Sequence, residues 1–196
     1  MKLQIHIGGT KRSGKTTLAL RIKSALADRG VNPVLFDIDN IRRDLFGPAD
    51  IAAPIGSEAN RVFHASAHRY IFKALIPTAF RAGQTPVMVA THSNRMYYDA
   101  ARETAESEGA TLKFVLLETP SMEEAARRSC ADIISLSDTR DLTENTAERE
   151  AYLASTRAFA RSYREQPGDY VWVPQSSPDE MAAVALHYIL TERTSN

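Results

Sequence analysis

The 196-residue sequence has a single cysteine, Cys130, and this near-absence excludes an internal disulfide and a cysteine-rich metal cluster. It has no run of the roughly 18 apolar residues that a membrane-spanning helix needs. It also has no excess charge of either sign, because 24 basic and 24 acidic side chains cancel. The chain starts in an apolar segment, so we expect no secretory signal. These absences predict a cytoplasmic protein that has no membrane partner.

The balanced charge also bears on nucleic acid as a partner. Proteins that bind polynucleotides usually carry a basic surplus, because contacts with phosphates supply most of their affinity. A neutral total disfavours such a partner without excluding it, since a local basic groove is compatible with a neutral chain. The length and the 43% hydrophobic content are typical of one globular domain, which we expect to span residues 1–196.

A glycine-rich phosphate-binding motif is present close to the start of the chain. Gly9, Gly14, Lys15 and Thr16 fit the spacing G-x-x-x-x-G-K-[ST] of a P-loop. The glycines let backbone N–H groups turn inward around an anion, Lys15 brings a cation to the β- and γ-phosphates, and the Thr16 hydroxyl can ligate Mg²⁺. We therefore predict that ATP and Mg²⁺ bind here. The predicted nucleotide contacts are Gly9, Thr10, Lys11, Arg12, Ser13, Gly14, Lys15, Thr16 and Thr17.

Beyond this motif, short apolar segments alternate with amphipathic ones, which predicts an α/β fold with a parallel sheet covered by helices on both faces. The predicted strands are residues 3–7, 33–39, 86–91, 111–117 and 170–173. Ser121 and Ser177 each stand three residues before a glutamate and predict capping boxes. Pro77 is predicted to kink a helix that runs from Glu58 to about residue 82, or to split off its last turn. Tyr170 and Trp172 are predicted core residues of the last strand.

The end of the second predicted strand carries two aspartates and an arginine. Side chains alternate along a strand, so we expect Asp37 and Asp39 to point to the same side. One carboxylate can organise a metal's water shell while the other orients or deprotonates an attacking hydroxyl, and Arg42 can hold an anion. A purely structural alternative is that Asp39 caps the next helix. The neighbouring phosphate motif favours the chemical interpretation.

These motifs resemble the small P-loop kinases. The phosphate loop, Asp37-x-Asp39 and Asp39-x-x-Arg42 are similar to shikimate kinase, chloramphenicol phosphotransferase and polynucleotide 5′-hydroxyl kinases, and residues 82–92 also resemble adenylylsulfate kinases. The likeness covers roughly residues 1–130. It implies a three-layer P-loop kinase fold, with a five-stranded parallel sheet and a helical lid at about residues 125–145.

Val89 is a departure from that pattern, because those relatives carry an aspartate that helps to hold Mg²⁺ at the end of the third strand. In the shikimate kinase pattern the first aspartate of Asp-x-Asp assists the metal, and Asp37 stands in that place. We therefore predict Thr16 and Asp37 as metal-binding residues and Asp39 as the group that faces the acceptor hydroxyl.

Further candidates follow from position. His92 and Arg95 come after the third strand and are predicted, with Asp39 and Arg42, to contact the acceptor. Lid arginines of such kinases close over the phosphates, so we predict this role for Arg127, then Arg128, with Arg140 nearby. Ion pairs with Glu123 and Glu124 are an equal alternative for these arginines. His64 and His68 are spaced i, i+4, which suits a metal, but helix packing is favoured.

The resulting prediction is an ATP-dependent kinase that moves the γ-phosphoryl group to a hydroxyl of a metabolite or antibiotic, with Lys15, Asp39, Arg42 and Arg127 as the catalytic residues. A polynucleotide 5′-hydroxyl kinase is the alternative enzyme. A nucleotide-binding regulatory module that no longer transfers phosphate is the alternative of another class. The sequence leaves open the identity of the acceptor, the choice between ATP and GTP, and whether the protein is a monomer or a homodimer.

Overall fold

The computed structural model describes residues 2–49, 53, 57–92, 95–132, 150, 153–154, 156–157, 161 and 169–191. Within this part of the chain, five strands form one parallel sheet in the order β2-β3-β1-β4-β5. Their bounds are β1 Lys2–Gly8, β2 Pro33–Asp37, β3 Thr85–Val89, β4 Ala110–Leu117 and β5 Tyr170–Val173. The α/β class and the five-stranded parallel sheet predicted from the sequence are confirmed.

Helices connect these strands and cover both faces of the sheet. They are α1 Lys15–Ala27, α2 Ile38–Phe46, α3 Glu58–Tyr70, α4 Ile76–Arg81, α5 Arg95–Ser107, α6 Met122–Asp132 and α7 Pro178–Leu190. No helix in the described residues is both long enough and apolar enough to span a bilayer. The rest of the predicted lid, including Arg140, lies outside the described residues.

Side-chain alternation in the strands gives the sheet two different faces. On the aliphatic face, Ile5, Ile7 and Val115 pack with the buried stripes of α1 and α7, and none of the buried residues there carries an aromatic ring. On the aromatic face, Phe72, Phe114 and their neighbours on α3, α4 and α5 enclose several polar groups. Those polar side chains, all buried, are Gln4, His6, His68 and His92. The aliphatic packing stabilises the start of α1, where the phosphate motif lies.

The helix predicted across Pro77 is interrupted by one wide turn. A π-helical segment, Ile71–Leu75, separates α3 from α4, and the N–H of Ile76 donates to the carbonyl of Ile71. Proline removes an N–H donor and clashes with the preceding turn of a straight helix, so a locally wider turn relieves the conflict. The helix is therefore divided near Pro77 by a π-helical segment that ends two residues before the proline.

Two predictions about element ends and burial are wrong. β2 ends at Asp37, whose side chain caps α2, so Asp39 lies in the first turn of a helix and not on a strand. Tyr170 and Trp172 are 39% and 42% exposed, because β5 is an edge strand of the described sheet. The predicted capping box at Ser177–Glu180 is confirmed with both of its hydrogen bonds.

Candidate active site

The predicted phosphate loop connects β1 to α1 at the carboxyl edge of the sheet. A side chain at Gly9 would place its Cβ 2.5 Å from Ser13 Oγ, so only glycine fits. Gly14 has φ +91° and caps α1, and Arg12 adopts the left-handed region with φ 63°. Alternation of left- and right-handed backbone turns successive N–H groups into an anion-binding nest, and the helix dipole adds to it. The loop therefore has the form that the motif predicts.

Lys15 lies at the bottom of this loop with its ammonium group held by backbone. Its Nζ donates to the carbonyl of Thr10 over 2.7 Å. Burial lowers the pKa of Lys15 to about 8, and the charges of Asp39 and Asp37 oppose that shift. The lysine therefore keeps its positive charge at neutral pH, next to two carboxylates and the nest.

Asp37 joins the second strand to the phosphate loop. Its Oδ2 accepts a hydrogen bond from Thr16 Oγ1 over 3.3 Å, and its Oδ1 accepts from the N–H of Asp39 over 3.0 Å. Burial, followed by the charge of Asp39, raises the pKa of Asp37. A hydroxyl and a carboxylate oxygen in contact beside a phosphate nest are the hard oxygen donors that Mg²⁺ prefers. The pair therefore fits the predicted metal-binding residues, and Asp37 takes the capping role considered for Asp39.

Asp39 and Arg42 extend the site along α2. The Asp39 side chain is 73% exposed and lines the cavity, whereas that of Arg42 is only 12% exposed. One oxygen of Asp39 lies 3.9 Å from Arg42 NH1. An accessible carboxylate with a nearby guanidinium can accept a proton from an alcohol that binds between α2 and the phosphate loop. The helical placement of Asp39 changes the predicted geometry but keeps it at the site.

A cavity of about 640 Å³ joins the phosphate loop, Asp37 and Asp39 at the carboxyl edge of the sheet, and Arg42 is not among its lining residues. The phosphate loop forms one side of it, and Asp37, Asp39 and the ends of β3 and α6 form the others. Val89, where relatives of the resembled group carry an acid, lines the cavity as a buried aliphatic side chain. Three lining residues near α7 were not predicted from the sequence. They are Ser176, Pro178 and Met181.

Two arginines of α6 reach the cavity and share one carboxylate. Glu124 accepts hydrogen bonds from Arg127 Nε and NH2, over 2.7 and 2.8 Å, and from Arg128 Nε over 2.7 Å. These bonds lower the pKa of Glu124 to about 2. Because the Glu124 carboxylate binds arginines, the capping box predicted at Ser121 forms only through the bond from the Glu124 N–H to Ser121 Oγ. Arg127 is 72% exposed, while Arg128 also donates to the carbonyl of Arg12.

His92 and Arg95 are not among the described residues that line the cavity, although His92 directly follows the lining residue Thr91. His92 is buried, with φ 52°, and its ring packs 5.0 Å from His6 and edge-on to Phe114. Arg95 is exposed on α5, 3.6 Å from Asp99. Their role in binding the acceptor stays a prediction.

The predicted pair His64 and His68 belongs to the aromatic face. The ring of His68 is buried and stacks on Tyr97 with centroids 3.7 Å apart, and His64 packs against both. No group of three or more potential metal ligands among His, Cys, Asp and Glu occurs in the described part of the chain. Helix packing, the alternative favoured for this pair, matches the geometry.

Comparisons with known proteins agree with this architecture. Residues 1–71 match the family model of adenylylsulphate kinase. No protein of curated function matches the chain in sequence. The fold is similar to the Mycobacterium tuberculosis APS kinase solved with AMPPNP and APS, at 18% identity and a TM-score of 0.63, over 97% of this chain and 98% of that one.

Two further solved structures share the fold. A gluconokinase from Sinorhizobium meliloti is 17% identical, with a TM-score of 0.56 over 95% of this chain and 91% of that one. The Deinococcus radiodurans tunicamycin resistance protein is 14% identical, with a TM-score of 0.57 over 97% of this chain and 98% of that one. The chain therefore has the P-loop kinase fold.

Proposed function

We propose that this protein is an ATP-dependent phosphotransferase that moves the γ-phosphoryl group of ATP to a hydroxyl group of a small molecule. The observation that carries the proposal is the single cavity in which the phosphate nest, Lys15 and the exposed carboxylate of Asp39 meet. The similarity of residues 1–71 to adenylylsulphate kinases, and the kinase fold, support it. The single cysteine suits a reducing cytoplasm, where ATP is abundant.

In the proposed reaction the nest and Lys15 bind the β- and γ-phosphates. Thr16 and Asp37 would hold Mg²⁺, which supplies charge neutralisation on the phosphate oxygens when it is bound. Asp39 orients the acceptor alcohol and takes its proton as the oxygen attacks the γ-phosphorus, and ADP leaves. Arg42 positions the acceptor through its buried guanidinium. Arg127, the more exposed lid arginine, stabilises the charge that develops on the transferred phosphoryl group.

The decisive test compares two aspartates of the same helix. Asp39→Asn should lower kcat by about 10²–10⁴, the usual contribution of a general base, with little change in ATP affinity. Asp44→Asn, an exposed change one turn further along α2, is the matched control and should leave kcat unchanged. If Asp39→Asn keeps its turnover but loses ATP affinity, the roles assigned to Asp37 and Asp39 are exchanged.

The acceptor class is open to a direct screen with ATP and Mg²⁺. We favour a small metabolite or antibiotic because the chain is neutral and carries no basic run. ADP release should be measured with nucleosides, sugars, antibiotics and 5′-hydroxyl oligonucleotides. Release that stays at background with every acceptor would favour a regulatory nucleotide-binding module.

A polynucleotide 5′-hydroxyl kinase is the second candidate, and the exposed Asp39 followed by Arg42 on α2 favours it. Salt separates the two enzymes. The apparent affinity for a polynucleotide acceptor should fall steeply with rising salt, because counterions are released on binding, whereas that for a small neutral acceptor should change little.

A further inference from the structure

Two side chains from distant parts of the sequence bind consecutive carbonyl groups of the phosphate loop. Arg128 NH1 donates to the carbonyl of Arg12 over 2.9 Å, and Gln175 Nε2 donates to the carbonyl of Ser13 over 3.3 Å. Neither donor belongs to the P-loop motif. Arg128 belongs to α6, and Gln175 lies between β5 and α7. The loop is thus fixed from outside at two adjacent peptide groups.

Both side chains are themselves held in place. Arg128 uses its Nε to bind Glu124 Oε1 over 2.7 Å, which leaves NH1 aimed at the loop. Gln175 also donates through Nε2 to the carbonyl of Glu118, and its backbone N–H donates to Glu118 Oε2 over 3.1 Å. The side-chain amide therefore connects the end of β4 to the phosphate loop. Neither donor is a loosely placed surface group.

Because the peptide bond is planar, these contacts with carbonyl groups also fix the directions of the N–H groups that follow them. In a trans peptide the C=O and the following N–H point in opposite directions, so a fixed carbonyl fixes the next N–H. Binding the Ser13 carbonyl sets the direction of the Gly14 N–H, the first donor at the N-terminus of α1. Binding the Arg12 carbonyl holds the Ser13 N–H, which closes a turn onto the carbonyl of Thr10 over 3.3 Å.

The loop has a reason to need such support. Arg12 is in the left-handed region with φ 63°, a conformation that is unfavourable for a non-glycine residue and persists only where its surroundings determine it. With no phosphate bound, the nest has no anion to hold its N–H groups together. The two contacts hold the carbonyl of this strained residue and that of the residue that follows it.

We propose that Arg128 and Gln175 are positioning residues that hold the phosphate loop in its anion-binding conformation before the nucleotide arrives, with Glu124 orienting Arg128. This inference rests on the proposed function, since it assigns these residues to the nucleotide subsite of the same cavity. It gives Arg128 a structural link to the loop, separate from the charge-stabilising role proposed for Arg127.

The test uses variants that remove the geometry but keep size or charge. Gln175→Met removes the donor at similar volume, and Arg128→Lys keeps the charge but cannot bridge Glu124 and the Arg12 carbonyl with the same rigid fork. Gln84→Met and Arg81→Lys, near the start of β3 and at the end of α4, are the matched controls. Affinity is measured by calorimetry with the ATP analogue AMPPNP and Mg²⁺. Hydrogen exchange of residues 9–17 is measured in the free and AMPPNP-bound protein.

Each variant should weaken AMPPNP binding by about 3- to 10-fold, the value of one hydrogen bond, and the double variant by about 10- to 100-fold. Exchange in residues 9–17 should rise in the free variants and return towards the wild-type level with AMPPNP. The controls should change neither readout. Unchanged exchange of the loop in the free double variant would overturn the inference.

The two proposals fail separately. If the wild-type protein does not bind AMPPNP, the proposed function is wrong, while hydrogen exchange of the free loop still judges the two contacts. If the wild type binds AMPPNP and the double variant binds it equally well, the positioning role is wrong and the proposed function stands.

Discussion

The two faces of the sheet bury different kinds of side chain. The aliphatic face, under α1 and α7, buries Ile5, Ile7 and Ile22 without an aromatic ring among its buried residues. The aromatic face, under α3 and α5, encloses His6, His68 and His92 among Phe72, Phe114 and Tyr98. The aliphatic face is held mainly by the burial of aliphatic side chains, and its buried Lys113 lies over the ring of Tyr188 and donates to the carbonyl of Thr191. The other contains groups that can acquire charge, and its stability depends on keeping them neutral.

The difference between the two faces is clearest at the ring nitrogens of the buried histidines. Both ring nitrogens of His68 and His92, and Nδ1 of His6, have no hydrogen-bond partner among the described residues. Burial is the main cause that lowers the pKa of all three, to about 3 for His92. Nearby positive charges add to it, from Lys15 on the loop, Arg42 on α2, and His64 on α3 when it is protonated. The aromatic face therefore favours three neutral imidazoles.

The largest expected effect is acid destabilisation that originates on the aromatic face. The pKa values of these three histidines are lower in the folded protein than the unfolded value near 6.5. Their contribution to stability is therefore fully present above that pH and is lost as the pH falls towards the folded pKa values. Each excluded proton costs about 1.4 kcal/mol between pH 7.5 and 5.5, so the three together cost about 4 kcal/mol. Urea unfolding across that range measures it. A constant free energy of unfolding between these two pH values would contradict the inference that the three buried histidines are neutral in the folded protein.

The next effect comes from the aliphatic face. Ile22→Ala removes a fully buried side chain from α1 and should cost about 2–5 kcal/mol through lost burial and the cavity left behind. The loss should be the same at pH 5.5 and 7.5, since the buried residues of this cluster carry no titratable side chain. Thermal and urea unfolding at both pH values give the comparison. A loss that differed between the two would mean that the faces are coupled.

A smaller effect is expected when one of the three buried histidines is replaced. His68→Phe keeps a ring stacked on Tyr97 but removes the titration, so the fall in stability between pH 7.5 and 5.5 should shrink by about 1.4 kcal/mol. His187→Phe, on α7 on the other side of the sheet, is the control and should leave the pH dependence unaltered. An identical acid profile in His68→Phe would show that this ring is not part of the sensitive group.

The smallest effect is local to α7. Ser177→Ala removes the oxygen that accepts from the N–H of Glu180 and should cost about 1 kcal/mol, as for other N-caps. The cost should be independent of pH between 5.5 and 7.5, because the cap supports a helix of the aliphatic face. Ser107→Ala, at the end of α5, is a comparison outside any N-cap. A larger cost for Ser107→Ala would argue against the cap's importance.

Sequence reasoning predicted the phosphate loop well because its geometry is local. Glycine spacing, one lysine and a following helix determine the nest, and Gly9 leaves no room for any other side chain. The alternation of strands and helices was readable for the same reason, since burial on two faces leaves a clear pattern. The end of β2 could not be predicted in this way, because Asp37 and Asp39 are equally compatible with a strand and with the capped start of a helix.

The parts of the site made by tertiary contacts could not be read from the chain. Gln175 carries no motif, and its only signal was its position after the last strand, at the carboxyl edge where sites of such sheets form. The burial of His92 and the exposure of Trp172 depend on neighbours from other elements and on which strand lies at the edge. A local pattern holds no information about either.

The wide turn at Ile71–Leu75 amounts to one extra residue inserted into an otherwise continuous helix. Deleting a single residue there would let α3 and α4 merge in α-helical register, and every side chain on one arm would rotate by about 100° relative to the other. One residue in the chain thus determines how the helix that carries His64 and His68 is oriented relative to the helix that follows it.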